Sequence, residues 1–165
     1  MHRMLKIRFA LFLFVGSSVL LGSPHSAIAG GYILPRVGAY VPVDGGDVSY
    51  SVGITLGYSW TQYFATEIGY SRLIASGDGV DGDVAVGQGV LAYPGKWLTP
   101  YVSAGAGMIH TSFAGDDEVD PLFPIGAGVS LRPFGSFSIG LGVTYGIVSG
   151  GPDYIDPGVS IGLGF

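Results

Sequence analysis

Cysteine is missing from the sequence altogether. That excludes a disulfide framework, thiolate metal sites, a cysteine nucleophile and the acylated cysteine of a lipoprotein. Charge is scarce: 12% of the residues are Asp, Glu, Lys or Arg, about half of what a soluble domain carries. The scarcity does not signal disorder, because 48% of the chain is hydrophobic and can fill a core. Long apolar runs are also missing. Beyond residue 29 no stretch reaches the roughly 18 uninterrupted apolar residues of a membrane-crossing helix. The 30 glycines have no period of three, which excludes a collagen helix. An apolar, weakly charged chain without a spanning helix has one membrane architecture open to it, a closed β-barrel that pairs all of its backbone.

The first residues specify export. Arg3, Lys6 and Arg8 open the chain, an apolar run from Phe9 to Leu21 follows, and Ala27-Ile28-Ala29 supplies small residues before Gly30. Basic, apolar and small-residue segments in that order form a cleavable secretory signal. The expected organisation is a signal peptide over 1–29 and one barrel domain over 30–165.

Within that domain the apolar residues recur at every second position. Val52, Ile54, Leu56, Tyr58 and Trp60 alternate with Gly53, Thr55, Gly57 and Ser59. Phe137 to Ile147, Phe123 to Leu131 and Val159 to Phe165 follow the same rule. Period two gives a strand with one apolar face and one small or polar face. Eight such segments are expected, near 31–42, 49–60, 64–74, 83–93, 99–112, 122–132, 136–148 and 155–165. Most have the length that a tilted strand needs to cross hydrocarbon. Leu34, Pro35 and Arg36, and Gly87-Gln88-Gly89, interrupt the alternation, and either place could hold a β-bulge.

The connections alternate between tight turns and longer segments rich in Gly and Asp. Short turns belong on the periplasmic side of such barrels and longer loops outside. Eleven of the 12 acidic residues fall in or beside the expected outer loops, Glu67 being the exception. After signal removal four basic residues face 12 acidic ones, a net charge of −8. Tyr58, Trp60, Phe64, Tyr93, Trp97, Tyr101, Phe134 and Phe137 cluster near the tight turns, as an aromatic girdle would.

The segment Thr99-Pro100-Tyr101-Val102-Ser103-Ala104-Gly105-Ala106-Gly107, the strand around Glu67-Ile68-Gly69-Tyr70 and the ending Gly164-Phe165 resemble the small outer-membrane barrels of the OmpA/OmpX type. The resemblance implies an eight-stranded antiparallel up-and-down transmembrane barrel located in the cell outer membrane. It also implies that Phe165 acts as the insertion signal read by the barrel insertion machinery.

Several motifs carry a catalytic or cofactor-binding spelling. Gly158-Val159-Ser160-Ile161-Gly162 spells a serine-hydrolase elbow, but no helix and no histidine follow it. Gly87-Gln88-Gly89-Val90-Leu91-Ala92 spells a dinucleotide loop but opens no helix. His110-Thr111-Ser112 resembles the His-x-Ser of outer-membrane lipid A deacylases, whose histidine activates the serine. That family's next asparagine is Phe113 here, and further strands follow, so His110 is read as a rim residue at the lipopolysaccharide interface. Asp78, Asp81 and Asp83, and Asp116, Asp117 and Glu118, are candidate loop sites for low-affinity Ca²⁺ or Mg²⁺; neither group has the spacing of an EF-hand.

Arg36 and Glu67 fall on the small-residue face of their strands. Facing lipid costs an Arg roughly 2–4 kcal/mol at depth, so both are expected in the lumen, as an ion pair. Such a pair would be a gate or a structural plug, and the structural reading is preferred. The expected function is a non-enzymatic structural or surface-interaction role through acidic outer loops. A narrow solute channel and a lipid A-modifying hydrolase are the alternatives. No cofactor and no nucleic acid is expected. The expected partners are outer-membrane lipid, lipopolysaccharide, the insertion machinery and divalent cations, and the barrel is expected to be monomeric. N-terminal sequencing of membrane-extracted protein should read Gly30 first; a chain beginning at Met1 would make the apolar segment an anchor.

Overall fold

The computed structural model describes residues 30–76, 81–113, 116–134 and 136–165. The leader expected over 1–29 and the candidate cation ligand Asp78 lie outside them. Eight strands follow in order: β1 (Gly30–Pro42), β2 (Ser49–Ser59), β3 (Phe64–Ile74), β4 (Asp81–Ala92), β5 (Leu98–Phe113), β6 (Asp116–Phe134), β7 (Phe137–Val148) and β8 (Tyr154–Gly164). Each pairs antiparallel with its sequence neighbours, and β1 pairs with β8 to close the barrel. The backbone amides are thereby consumed by the sheet, the condition for crossing hydrocarbon with strands.

Alternation decides the faces. Val37, Ile54, Ile68, Leu91, Ile125 and Ile161 point outward and are exposed, Ile68 by 74%. An exterior of that kind is solvated by lipid, not water. The residues between them point into the lumen. Trp60, Tyr63, Tyr93 and Trp97 form an exposed aromatic set at the end of the barrel carrying the short turns. The Trp60 ring stands edge-on to Tyr58, and its Nε1–H donates to Thr66 Oγ1 at 2.9 Å. Tyr101, expected in this girdle, faces inward instead and lines a lumen cavity, because it shares parity with the inward Thr99 and Ser103.

Two expectations about the strands are corrected. The registers of β1 and β4 run without a shift, and the register shift lies in β6, between Leu131 and Phe134. Gln88 is inward while Gly87 and Gly89 face outward, so the blurred alternation is a normal strand with small residues on its lipid face. Between the expected strands 99–112 and 122–132 the sequence predicts a loop, yet residues 113 and 116–121 are strand. Phe113 pairs with Asp116, and Ser112, Thr111 and His110 pair with Asp117, Glu118 and Val119. At ~3.3 Å per residue β6 is far longer than a bilayer requires, so the β5–β6 hairpin projects beyond the barrel.

The lumen is filled unevenly. At the end carrying the longer loops, Tyr40, Leu73, Val84, Ile109, Leu122, Val148 and Tyr154 form a buried apolar cluster. The rings of Tyr40 and Tyr154 lie 4.5 Å apart between centroids. These are inward positions, so alternation reverses in polarity here: apolar side chains meet each other across the lumen. Toward the turn end most inward residues are small or polar, with Leu34, Val90 and two tyrosines among them, and they enclose a cavity of about 590 Å³. Leu122, 0% exposed, is the centre of the apolar plug. Leu122→Ala is expected to cost ~2–5 kcal/mol, as for other core Leu truncations. The lipid-facing control Ile125→Ala should cost clearly less, and urea unfolding of the two variants measures the difference.

Candidate functional site

Three places collect polar side chains: the ion pair below the plug, the cavity near the turn end and the outer rim.

The ion pair is not the expected one. Arg36 and Glu67 both point inward and both line the cavity, but no ion pair joins them among the described residues. Arg36 Nη2 instead lies 3.0 Å from Asp156 Oδ2, with side-chain exposures of 24% and 9%. Ser51 Oγ donates to Asp156 Oδ1 at 3.1 Å. Asp156, expected beside an outer loop, is a lumen residue of β8. Barrel closure explains the pairing. Gly38 of β1 sits opposite Gly158 of β8, and Arg36 opposite Ser160. A side chain at Gly158 would collide with the Arg36 guanidinium, and one at Gly38 with the Asp156 carboxylate. The two glycines open the space in which the charges meet. A signal for it existed in the sequence: Ile155, Pro157, Val159, Ile161 and Leu163 take the lipid face, which puts Asp156 inside by parity.

Glu67 is held by neutral donors. Tyr32 OH donates to Oε1 at 2.7 Å and Gln88 Nε2 to Oε2 at 2.6 Å. The register gives the reason. Glu67 lies directly opposite Gln88 on one side and Gly57 on the other, and Gly57 lies opposite Tyr32. Because Gly57 has no side chain, the Tyr32 ring crosses its strand and reaches the carboxylate. Tyr101 lies in the same way against Gly128 and Gly142. Sequence reasoning missed Tyr32, Gln88, Tyr101 and Asp156.

At the outer rim a polar row crosses the lipid-facing side. Arg72 lies opposite Asp83, and Asp83 opposite His110. Asp83 accepts from Arg72 Nη1 at 2.7 Å and from the Tyr70 hydroxyl. His110 stands between two carboxylates, with Nδ1 3.8 Å from Asp83 Oδ2 and Nε2 3.7 Å from Asp117 Oδ1. Ser112 Oγ donates to Asp117 Oδ1 at 2.6 Å, so the serine hydroxyl is committed to the carboxylate and not to His110. Asp81 accepts the Ala75 backbone N–H at 3.0 Å. The candidate cation ligands Asp81, Asp83 and Asp117 thus each hold a protein group, while Glu118 is exposed on the projecting hairpin. Among the described residues no three acidic or histidine side chains converge as a metal site.

No protein-family model matches the chain, and no curated protein matches it in sequence. Solved structures do match in fold. Neisserial surface protein A superimposes with a TM-score of 0.66 at 14% identity, covering 82% of this chain and 97% of that one. The N-terminal β-barrel domain of Pseudomonas aeruginosa OprF gives 0.66 at 17% identity, over 83% and 99%. The outer membrane enzyme PagL gives 0.54 at 16% identity, over 80% and 98%. The fold is that of the eight-stranded outer-membrane β-barrels, a scaffold that carries more than one function.

The Arg36–Asp156 pair makes a definite prediction. Removing one partner by Arg36→Met or Asp156→Asn should destabilise by ~3–5 kcal/mol, and the double variant should recover much of that loss. The cycle of Arg36→Met with Glu67→Gln should be close to additive. Urea unfolding of the five variants decides both, and strong coupling between Arg36 and Glu67 would contradict the observed pairing.

Proposed function

We propose that the chain is an OmpA/OmpX-like barrel of the cell outer membrane, with a non-enzymatic structural or surface-interaction role exercised at its acidic loop end. The observation that carries this reading is the apolar plug. Tyr40, Leu73, Ile109, Leu122, Val148 and Tyr154 are buried against one another across the lumen. A solute path would have to part a packed apolar cluster, which disfavours the narrow-channel alternative.

What the loop end offers is charge. Asp116, Asp117, Glu118 and Asp120 belong to the stretch of β6 that extends past β7, whose register starts at Leu122. Carboxylates on an unpaired strand edge discourage pairing with another sheet and attract cations. Divalent cations would bridge this hairpin to lipopolysaccharide phosphates, while Arg72 and His110 on the rim would meet those phosphates directly. Phe165 fits the role of insertion signal: its backbone N–H donates to Gly31 O at 2.9 Å, and its ring lies over Gly31, where any side chain would displace it.

The hydrolase alternative has one observation in its favour, the gathering of His110, Ser112 and Asp117 on the lipid-facing rim. It lacks the nucleophile–base hydrogen bond that activation of Ser112 by His110 requires.

Refolded protein in planar bilayers should give no unitary conductance. Its association with lipopolysaccharide vesicles should depend on Mg²⁺ and fall severalfold when Asp116→Asn, Asp117→Asn and Glu118→Gln are combined. A stable conductance in the unmodified protein would favour the channel, and association unchanged by the triple variant would remove the acidic hairpin from the function.

A further inference from the structure

The cavity near the turn end is unlike the rest of the lumen. Its volume of about 590 Å³ falls within the range of small-molecule pockets, roughly 300–1,000 Å³. Residues 61–63 of the β2–β3 turn and Ser136 of the β6–β7 turn are among its lining, so it opens at the end opposite the acidic loops. The far end is closed by the Arg36–Asp156 pair and the apolar plug. It is a blind pocket.

Charge is arranged along its depth. Glu67 lies inside, part-buried, with one carboxylate oxygen fixed by Tyr32 and the other by Gln88. Among the described residues no basic side chain comes within ion-pairing distance of it. A carboxylate taken out of bulk water gains from a cation and is given only neutral donors by the protein. Those donors fix its orientation and leave a further acceptor site on each oxygen. Tyr32 and Tyr101 both line the cavity and supply aromatic surface of the kind an ammonium group favours. Arg132 lines the cavity too and forms no ion pair among the described residues. It belongs to the last residues of β6, near the turn end. The pocket therefore presents a negative group inside and a positive group nearer its opening.

We propose that this pocket binds a small zwitterion from the turn-end side, with the ligand's ammonium group on Glu67 and its acid group on Arg132. Amino acids and short peptides are the chemical class that fits: a primary ammonium and a carboxylate at opposite ends of a short, partly apolar body. The pocket fixes the direction of entry, amine first. The Arg36 guanidinium at the closed end is neutralised by Asp156 and does not compete for the acid group.

The probe is 6-aminohexanoate, with 6-aminohexanol supplying the amine alone and hexanoate the acid alone. Each is titrated into the refolded full barrel while the side-chain amide of Gln88 is followed by nuclear magnetic resonance, since that amide bonds directly to Glu67. 6-Aminohexanoate is expected to shift the Gln88 resonance saturably, and hexanoate to leave it in place. Glu67→Gln should weaken 6-aminohexanoate by about tenfold or more. Arg132→Gln removes an exposed charge that has no ion pair among the described residues. It should weaken 6-aminohexanoate and leave 6-aminohexanol unchanged. The proposal is overturned if 6-aminohexanoate gives no saturable shift, if hexanoate binds as tightly, or if Glu67→Gln or Arg132→Gln binds 6-aminohexanoate as the unmodified protein does. Should Glu67→Gln fail to refold, the probe comparison on the unmodified barrel and the Arg132→Gln arm still decide it.

Discussion

Everything in this molecule depends on the closing pair of strands. A sheet in hydrocarbon cannot leave a row of N–H and C=O groups unpaired, since each would cost several kcal/mol. The antiparallel register of β1 against β8, from Tyr32 opposite Gly164 to Pro42 opposite Tyr154, removes both edges. Closure also creates the lumen, and it brings the first and last strands together, which no local pattern does. The Arg36–Asp156 contact is a direct product of it: residues 120 positions apart in the chain meet because the sheet has no ends.

Small residues in the lumen serve large ones on neighbouring strands. An eight-stranded barrel leaves only enough interior for its own side chains, so an inward ring needs an inward gap beside it. Tyr32 lies over Gly57, Tyr101 against Gly128 and Gly142, and Tyr154 over Gly146. The glycine-rich composition thus reflects packing between strands as well as flexibility within them. Where inward residues are Leu, Ile, Val and Tyr, the lumen is dry and closed; where they are Ser, Thr, Glu and Gln, it remains open. The same backbone architecture carries a plug and a pocket because inward volume and polarity change along the strands.

The loop end follows a different balance. β5 and β6 continue past the bilayer because pairing with each other satisfies their backbone even in water. Two tyrosines of the outer face use aspartates at the loop end: Tyr145 OH donates to Asp153 Oδ2 at 2.8 Å and Tyr70 OH to Asp83. Each ring stays in the apolar zone while its hydroxyl reaches the polar one. Part of the acidity that reads as loop charge is therefore anchoring charge, and Glu118, exposed on the projecting hairpin, is the clearest carboxylate left for partners among the described side chains.

The amino-acid sequence determined by itself whatever depends on period two. The number of strands, their approximate bounds, the lipid-facing set and the inward placement of Arg36 and Glu67 all follow from parity, which is local. The hydrogen-bonding partners inside the lumen do not. Parity says which face a residue takes and nothing about which residue stands across from it. That depends on the register of each strand pair and on the closure of β1 on β8. So Glu67 was legible as a lumen charge, but its bonds to Tyr32 and Gln88 required the row from Tyr32 through Gly57 and Glu67 to Gln88 to be aligned. Asp156 was misplaced because an acidic residue next to a Gly- and Pro-containing segment has the composition of a loop, although its parity was inward. The β5–β6 hairpin escaped notice for a related reason: charged residues on an exposed strand edge and charged residues in a loop have the same sequence signature, and only backbone pairing in three dimensions separates them.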